Sequence, residues 1–352
     1  MATVGVIILH AMAPPSAGPL EGWLAAAREA QASDHRARFE AAGASEVRVI
    51  AGLPDDRPFG ARLRELVGTV RTGGLVVLGS GSIPLATKLD YRAFVSAAAA
   101  EEPRALTNSR YSSDVVAVAR AEVLAEVPDL ASDNALARWL ADVRGYRVEE
   151  RTSWRLRIDL DSPLDLMLFA PFASMPSTAV YTARAETALA KVRAVALDRG
   201  AELLVAGRTS AASLTWLERQ TSCRVRALVE ERGLRASDRM AAAAAPTRRR
   251  PPRSALGGLL DRDGPEAFGA IVAELADAAL VDTRVLLAHR LGADERRWPR
   301  PEDRFASDLL LFDRIADPWL RELSRSAAEA PIPIVLGGHT LVGPGVRLAL
   351  QA

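Results

Sequence analysis

The sequence predicts an α/β protein made of two domains, each with a largely parallel sheet. Short apolar segments of strand length alternate with longer segments whose apolar residues recur at helical spacing. The alternation starts again in the second half, and 352 residues are enough for two domains of about 100–200 residues each. We therefore expect a first α/β domain at residues 1–175 and a second α/β domain, of a type that the sequence does not specify, at residues 176–352.

The first half opens with Val4–Leu9, a continuous apolar run that is typical of a strand buried on both faces of a parallel sheet. Phe59–Arg71 has a different pattern, because apolar and charged residues alternate at helical spacing. The other strands predicted in this half are Val47–Ala51, Leu75–Leu78, Asp114–Ala119, Tyr146–Glu150 and Leu156–Leu160. Its other predicted helices are Leu20–Ala42, Tyr91–Ala100 and Asp133–Val143.

The second half repeats the alternation, beginning with a long amphipathic helix at Thr182–Arg199. Strands are predicted at Glu202–Ala206, Cys223–Val229, Ala278–Val281 and Ile332–Leu336, and helices at Ala211–Gln220, Pro265–Ala276 and Pro318–Ala330. Pro301–Asp308 is charged and is predicted to be a loop. The prolines and clustered arginines of residues 240–253 predict an exposed linker or a long loop.

The composition limits the kinds of binding partner and the cellular compartment that we expect. With 45 basic and 44 acidic residues, nothing favours nucleic acid or an anionic membrane as a partner. A single cysteine, Cys223, excludes an internal disulfide framework and a cysteine metal cluster, and it suits the reducing cytoplasm. No segment approaches the ~20 apolar residues of a membrane helix, and no charged segment of a signal peptide precedes Val4. Abundant alanine and arginine with scarce lysine resemble proteins of high-GC bacteria.

One local pattern occurs three times: a buried strand runs into glycine and small hydroxyl residues. The three segments are Leu75–Ser82, Leu203–Ser210 and Ile332–Thr340. Ligands of open α/β sheets lie outside the carboxyl ends of the strands, where glycine permits close approach of the backbone and free amides bind anions. The alternative is that each glycine only turns the chain.

The segment Arg157–Leu166 brings three carboxylates to one strand-to-helix corner. Alternation puts Asp159 and Asp161 on one face of a short strand, while Ser162 caps the following helix and Asp165 stands three residues after the cap. Carboxylate oxygens suit a hard divalent cation beside a phosphate. Alternatively, Asp165 only caps the helix and the other two aspartates mark a solvated strand face.

Residues 1 to about 172 resemble the glycosyltransferase-A-type nucleotidyltransferase superfamily, which includes the molybdenum cofactor guanylyltransferases and the phospholactate guanylyltransferases. The most specific match is Ile158–Leu166, which is similar to the closing D-x-D-T-P-x-D-L segment of these enzymes. The other matching segments are the first strand, Ala41–Ala51, Leu75–Leu85 and Ser132–Leu140. The resemblance implies a Rossmann-like domain of the glycosyltransferase-A type in the N-terminal half.

The resemblance also implies an activity and its residues. A nucleotidyl group would pass from an NTP to a small phosphorylated or cofactor acceptor with Mg²⁺ held by Asp159 and Asp161. Nucleotide or acceptor would contact six residues: Gly79, Ser80, Gly81, Ser82, Asn134 and Arg138. The chain departs from the family in its first loop, His10–Gly18, which has one glycine and no basic residue. The alternative is therefore a protein that keeps the fold but binds a small ligand or a partner without catalysis.

Further polar residues are candidates for other sites. His10 and His339 both end predicted strands, where a ligand could reach them. Asn108, Arg110 and Asp114 would bind an acceptor or form an ordinary turn. A second site in the C-terminal half would combine His339 with Asp282, Arg284, Asp303 and Asp308, if the fold brings them together.

Overall fold

A computed structural model describes residues 3–70, 72–169, 179–230 and 252–351. These residues divide into two compact units, the first from residues 3–16 and 25–159 and the second from residues 17–24, 160–230 and 252–351. Each unit contains its own sheet flanked by helices, so the α/β class is as predicted. The predicted boundary at 175/176 and most of the predicted linker at 240–253 lie outside the described residues.

The first unit contains a six-stranded sheet of order β2-β1-β3-β5-β4-β6. Its strands are β1 (Val4–Ala11), β2 (Glu46–Gly52), β3 (Gly74–Gly79), β4 (Arg104–Thr107), β5 (Val115–Ala119) and β6 (Arg147–Glu150). Strand β5 runs antiparallel to both β3 and β4, while the other neighbouring pairs are parallel. The helices are most of α1 (Pro19–Ala41), α2 (Phe59–Val67), α3 (Lys88–Ala98) and α4 (Leu136–Asp142), with short 3₁₀ turns at residues 121–126, 133–135 and 154–157.

Both faces of this sheet are buried, which explains the continuous apolar run of β1. Ile8 packs with Phe39 and Phe94 on one face, whereas Ile7 packs with Leu63 on the other. Successive side chains of a strand point to opposite faces, so a strand covered by helices on both faces needs apolar residues at every position.

The predicted strand at Leu156–Leu160 is wrong. Trp154–Arg157 forms a 3₁₀ turn, and Asp159 makes only an isolated antiparallel bridge with Ser82. Ile158 and Leu160 are buried as the alternation indicated, but burial of alternate residues does not require a continuous ladder to a neighbouring strand. The four-residue strand β4 was not predicted, because its pattern is too short to recognise.

The second unit contains a parallel four-stranded sheet of order β10-β9-β7-β8. Its strands are β7 (Glu202–Gly207), β8 (Arg224–Val229), β9 (Ala278–Asp282) and β10 (Ile334–Gly337). The larger helices are α5 (Pro163–Leu168), α6 (Ala179–Ala196), α7 (Ala211–Gln220), α8 (Ala255–Asp263), α9 (Phe268–Ala273), α10 (Thr283–Leu291), α11 (Pro301–Asp308) and α12 (Pro318–Ala328). The last two are α13 (His339–Val342) and α14 (Val346–Leu350).

Helix α11 replaces the loop that the sequence predicted for Pro301–Asp308. Proline stands in its first turn, where the missing amide costs nothing, and Glu302 and Asp303 complement the positive end of the helix dipole. The acidic residues of this segment therefore indicate the start of a helix and not a loop. Among the described residues, no helix is both long enough and apolar enough to cross a membrane.

Candidate functional site

In the first unit, polar residues meet where the order of the strands reverses. The chain passes from β1 to β2 on one side of β1 and then to β3 on the other side, which makes the β1/β3 edge a switch point of the kind where α/β sheets bind ligands. His10 lies in β1 and Ser80 directly follows β3; the His10 Nδ1 and Ser80 Oγ atoms lie 3.1 Å apart. Burial lowers the pKa of His10, which favours a neutral imidazole at this position.

The predicted glycine-rich segment Gly79–Ser82 is a tight loop that uses its own amides. The Ser80 amide donates to the Leu9 carbonyl at 2.8 Å, and the Ser82 amide donates to the Gly79 carbonyl at 3.2 Å. Both serine side chains are buried. These two amides are thus committed to the turn and do not point to a ligand.

A buried histidine supports this loop from behind. His35 is placed to donate from Nε2 to the Ser82 carbonyl at 2.9 Å, and its Nδ1 lies 2.8 Å from the Tyr91 hydroxyl. Burial lowers the pKa of His35 to about 4, so the ring is neutral near pH 7. In the sequence, His35 lies on a predicted helix without partners at metal-ligand spacing, which indicates only a surface or packing residue.

The residue after the loop is held in an unusual backbone conformation. Ile83 has a φ of 45° and is fully buried, and its amide donates to the Ile158 carbonyl at 3.1 Å. A left-handed β-branched residue is disfavoured, and such residues persist where the surrounding structure over-determines them, often beside functional sites.

Asn134 and Arg138, predicted to contact nucleotide or acceptor, are both anchored by neighbours. Ser112 Oγ donates to Asn134 Oδ1 at 3.0 Å, and Arg138 Nε donates to Asp142 Oδ2 at 2.7 Å. The Arg138 guanidinium also lies over the Tyr111 ring, 5.2 Å from its centroid. Hydrogen bonds from Arg138, with further ones from Arg110, hold the pKa of Asp142 below its usual range.

A small cavity lies between the glycine loop and Asp133, the residue before Asn134. Gly79, Asp114 and Asp133 all line it, and its volume is about 10 Å³, about the room that one water molecule needs. The start of the 133–138 segment therefore lies at the same strand edge as Gly79. Asn108, another predicted acceptor contact, serves the turn instead, because its Nδ2 donates to Asp114 Oδ2 at 2.7 Å and to the Leu156 carbonyl at 2.8 Å.

The two predicted metal ligands fall on either side of the division between the units. Asp159 belongs to the first unit and bridges Ser82 through the backbone. Asp161 belongs to the second, where its amide donates to Asp165 Oδ2 at 2.9 Å. Within the described ranges, no group of three or more His, Cys, Asp or Glu side chains is arranged to hold a metal ion. A site for Mg²⁺ stays a prediction.

In the second unit, charged side chains gather at the carboxyl ends of β7, β9 and β10. These parallel strands end at the same edge, and Gly337 of β10 stands in register with Asp282 of β9. Strand β7 lies between β8 and β9, so the order of the strands reverses between β7 and β9, as it does between β1 and β3 in the first sheet. We call the polar residues here the strand-end cluster; its members are Asp165, Arg208, Asp282, Arg284, Asp308 and His339.

Two buried ion pairs form the base of the strand-end cluster. Arg208 Nε donates to Asp282 Oδ2 at 2.6 Å and Arg208 Nη2 to Asp282 Oδ1 at 3.1 Å, while Arg284 forms a bidentate pair with Asp308. Burial alone would raise the pKa of Asp282, but the charge and hydrogen bonds of Arg208 lower it. Burial likewise opposes the charge of Arg284, yet the Asp308 carboxylate outweighs burial and raises the pKa of Arg284. Burial raises the pKa of Asp308, and the charge and hydrogen bonds of Arg284 oppose that rise. Each pair therefore brings a cationic and an anionic side chain into direct hydrogen-bonded contact.

Gly207 is needed for the first of these pairs. It has a φ of 130°, and a Cβ atom at this position would lie 2.3 Å from Asp282 Cβ. The glycine after β7 therefore permits the close approach of the Asp282 side chain.

His339 is half-buried and presents an acceptor. Its Nδ1 lies 2.8 Å from the Arg208 carbonyl oxygen, which can only accept, so Nδ1 carries the proton. Removal from water lowers the pKa of His339 to about 4, and the Arg208 charge acts in the same direction. Within the described part of the chain Nε2 makes no hydrogen bond, so a neutral ring offers its lone pair there.

Asp165 is buried in the capping box of α5 with only one of its oxygens used. Oδ2 accepts from the Asp161 amide at 2.9 Å, from the Ser162 amide at 2.8 Å and from the Ser162 hydroxyl at 3.2 Å. Oδ1 has no hydrogen-bond partner among the described residues. Burial, with a contribution from the Asp161 charge, raises the pKa of Asp165 to about 7. Leu164 extends to the Gly337 position, so this turn of α5 lies against the end of β10.

The structure thus brings together most of the residues that the sequence suggested for a second site. Asp282, Arg284, Asp308 and His339 come together, but Asp303 does not join them, because it accepts from the Ala316 and Asp317 amides at 3.1 Å each. Sequence reasoning missed Arg208 and gave Asp165 only a capping or metal-corner role. The signal for Arg208 was its position directly after the glycine of β7.

Comparison with known proteins adds no family assignment. No protein-family model matches the chain, and no curated protein matches it. A function can therefore be inferred only from the two strand-end regions themselves.

Proposed function

We propose that the chain is a divergent nucleotidyltransferase-like protein that binds an NTP at the carboxyl ends of β1 and β3. The observation that carries the proposal is the contact between His10 and Ser80 at the switch point of the first sheet. Open α/β sheets bind their ligands at this position, and polar side chains there supply hydrogen bonds to a phosphorylated ligand.

The 133–138 segment supports the same location. Asp133 and Gly79 line one small cavity, so Arg138 follows one turn after a residue at the strand edge. Asp142 accepts the hydrogen bond from Arg138 Nε. A guanidinium has five N–H donors, so other donors of Arg138 are available to a phosphate. Under the proposal Asn134 and Arg138 orient the nucleotide or the acceptor.

Mg²⁺ fits the residues of this unit in one way. It is usually held by one or two carboxylates together with phosphate oxygens and water, so Asp159 beside Ser82 would be its protein ligand. When bound, the ion would neutralise charge on the phosphates. The proposed reaction is attack of an acceptor oxygen on the α-phosphorus of the NTP, with pyrophosphate leaving.

Thermal unfolding of the purified chain with each NTP, with and without Mg²⁺, tests the proposal. A ligand that binds only the folded state raises the midpoint by mass action, and we expect a Mg²⁺-dependent rise for one nucleotide that is lost in Asp159→Asn. Glu122→Gln is the matched control. Glu122 pairs with Arg120, which follows Ala119, and Ala119 lies beside Gly74 at the start of β3, the end away from Gly79. The absence of any shift at millimolar nucleotide would contradict the proposal.

One observation favours a second candidate, a protein that binds a ligand or partner without catalysis. The Ser80 and Ser82 amides are used inside the loop, and His10–Gly18 supplies no basic side chain for a triphosphate. A nucleotide-induced shift that needs no Mg²⁺ and releases no pyrophosphate with any acceptor would support this candidate against the first.

A further inference from the structure

A cavity of about 560 Å³ opens at the amino end of β10, within the second unit. Its volume lies in the range of about 300–1,000 Å³ that is typical of small-molecule sites. One face of α6 lines it from Ala183 to Lys191, together with Leu310 and Phe312 after α11 and the segment 327–334 between α12 and β10. The strand-end cluster lies at the carboxyl end of β10, so this cavity is a separate feature of the unit.

Arg184 holds one wall of the cavity in place. Its Nη1 donates to the Leu310 carbonyl at 3.0 Å, and its guanidinium lies over the Phe312 ring, 4.6 Å from the centroid. Its Nη2 donates to Asp313 Oδ2 at 2.9 Å, which balances the charge of Arg184. Leu310 is buried with a φ of 58°, and bulky residues keep this left-handed conformation only where their surroundings over-determine it. The wall is thus formed before any ligand binds.

The rest of the lining favours an apolar small molecule over a peptide. Most of the lining residues are apolar, so they remove the apolar body of a ligand from water. Pro331 and Pro333 line the cavity just before β10, which is an edge strand of its sheet. Proline has no amide hydrogen, so a peptide strand added along this segment would find no donors at these two positions.

Two opposite charges of the lining are left without partners. Lys191 lies on α6, and Glu329 directly follows the last residue of α12. Within the described part of the chain, neither side chain makes a hydrogen bond or an ion pair, either with the other or with a third residue. Glu329 also lies at the negative end of the α12 dipole, which does not stabilise an anion. An ion of a single sign would be attracted by one of these charges and repelled by the other.

We propose that this cavity binds a small aliphatic amino acid that carries its two charges at opposite ends of the chain. The carboxylate of the ligand accepts from the Lys191 ammonium, and the ammonium of the ligand donates to the Glu329 carboxylate. The apolar chain between them packs on the apolar lining. The lined face of α6 runs about 12 Å from Ala183 to Lys191, which is enough for a chain of about six carbons.

Ligand-observed NMR titration of the full chain with ε-aminocaproate tests the proposal. The matched molecules are caproate, which has only the carboxylate, n-hexylammonium, which has only the ammonium, and n-hexanol, which has neither. We expect saturable binding of ε-aminocaproate that is about two- to fivefold tighter than that of either singly charged molecule, because an exposed ion pair contributes about this factor.

Two variants should divide the affinity between the two charges. Lys191→Met keeps the length of the side chain and should weaken ε-aminocaproate and caproate about two- to fivefold without weakening n-hexylammonium. Glu329→Gln should weaken ε-aminocaproate and n-hexylammonium without weakening caproate. Lys88→Met is the matched control, because Lys88, the only other lysine of the chain, lies on α3 in the first unit. A general loss of structure would not produce this crossed pattern.

A second pair of variants tests the place of binding. Ala183 and Ala190 are both exposed on α6, but Ala183 lines the cavity and Ala190 does not. Ala183→Phe should therefore abolish the binding of ε-aminocaproate, whereas Ala190→Phe should leave it unchanged.

The proposal is wrong if ε-aminocaproate does not bind saturably, or if n-hexanol binds as tightly. It is also wrong if Lys191→Met and Glu329→Gln weaken all three charged molecules alike, or if Ala183→Phe binds as the wild type does. Should a variant not fold, the order of the four affinities in the wild-type chain decides, because only the proposed site places the zwitterion above both of its singly charged matches.

Discussion

At the scale of single residues, His35 and His339 show how burial fixes a protonation state. The pKa of each is lowered to about 4 by removal from water. His35 interacts with a carbonyl and a hydroxyl, so both ring nitrogens are used. His339 interacts with a carbonyl alone and retains an acceptor. The first is a structural residue and the second retains an acceptor for a ligand. The sequence had also set them apart, because it placed only His339 at the end of a predicted strand.

The lowered pKa of His35 predicts a loss of stability in mild acid. An unfolded histidine titrates near pH 6.5, whereas folded His35 titrates near about 4, so the unfolded state binds more protons between these values. The contribution of His35 is complete above pH 6.5 and is lost as the pH falls through about 4. His35→Gln keeps a donor and an acceptor but cannot titrate. We expect His35→Gln to reduce the loss of unfolding free energy between about pH 8 and about pH 5 by about 2 kcal/mol.

Urea unfolding at about pH 5 and about pH 8 measures this effect. The difference between the two proteins at the higher pH gives the structural cost of the substitution and serves as the baseline. His339 leaves a remaining slope of the same sign in both proteins, because its pKa is also lowered. An unchanged slope in His35→Gln would mean that the folded histidine titrates normally.

At the scale of elements, the sequence predicted those parts of the fold that depend on local pattern. The capping box of α5 follows from Ser162, Pro163 and Asp165, and the structure confirms it. The prediction of a strand at Leu156–Leu160 was wrong, because the alternation of apolar and polar residues reflects burial of Ile158 and Leu160 and not pairing with a neighbouring strand. The contact between Arg208 and Asp282 could not be predicted either. The two residues meet because β7 and β9 are neighbours in the sheet, and no local sequence pattern encodes the order of the strands.

Two glycines of the second unit predict opposite results for the same substitution. Gly207 combines a φ of 130° with a Cβ position 2.3 Å from Asp282 Cβ, so Gly207→Ala adds both strain and a clash. We expect a loss of more than about 2 kcal/mol in the free energy of unfolding. Gly258 lies inside α8 with open space at its Cβ position, so Gly258→Ala should stabilise by about 0.5–1 kcal/mol.

Chemical denaturation of both variants beside the wild type checks this pair. Because both are Gly→Ala in one unit, the denatured chain changes in the same way, and the difference between them reports the folded backbone. If Gly207→Ala were tolerated as well as Gly258→Ala, the close approach of Gly207 to Asp282 would be wrong, and with it the geometry of the strand-end cluster.

At the scale of the whole molecule, the chain contains two sheets that each bury apolar residues of their own. Phe94 on α3 is fully buried in the core of the first unit, and Phe268 on α9 is fully buried in the second. A sheet with covered faces and its own helices forms a core that stabilises itself. Each core can therefore be tested by variants that leave the other core untouched.

This separation predicts two unfolding transitions in scanning calorimetry. Phe94→Ala should lower one midpoint and Phe268→Ala the other, because each removes a fully buried ring worth about 3–5 kcal/mol from one core only. The two variants are matched in chemistry and burial, so each is the control for the other. A single transition lowered by both would mean that the units unfold as one cooperative body. In that case a shift in the midpoint would not identify the unit that binds the nucleotide, and titration calorimetry of variants in each unit would have to locate it.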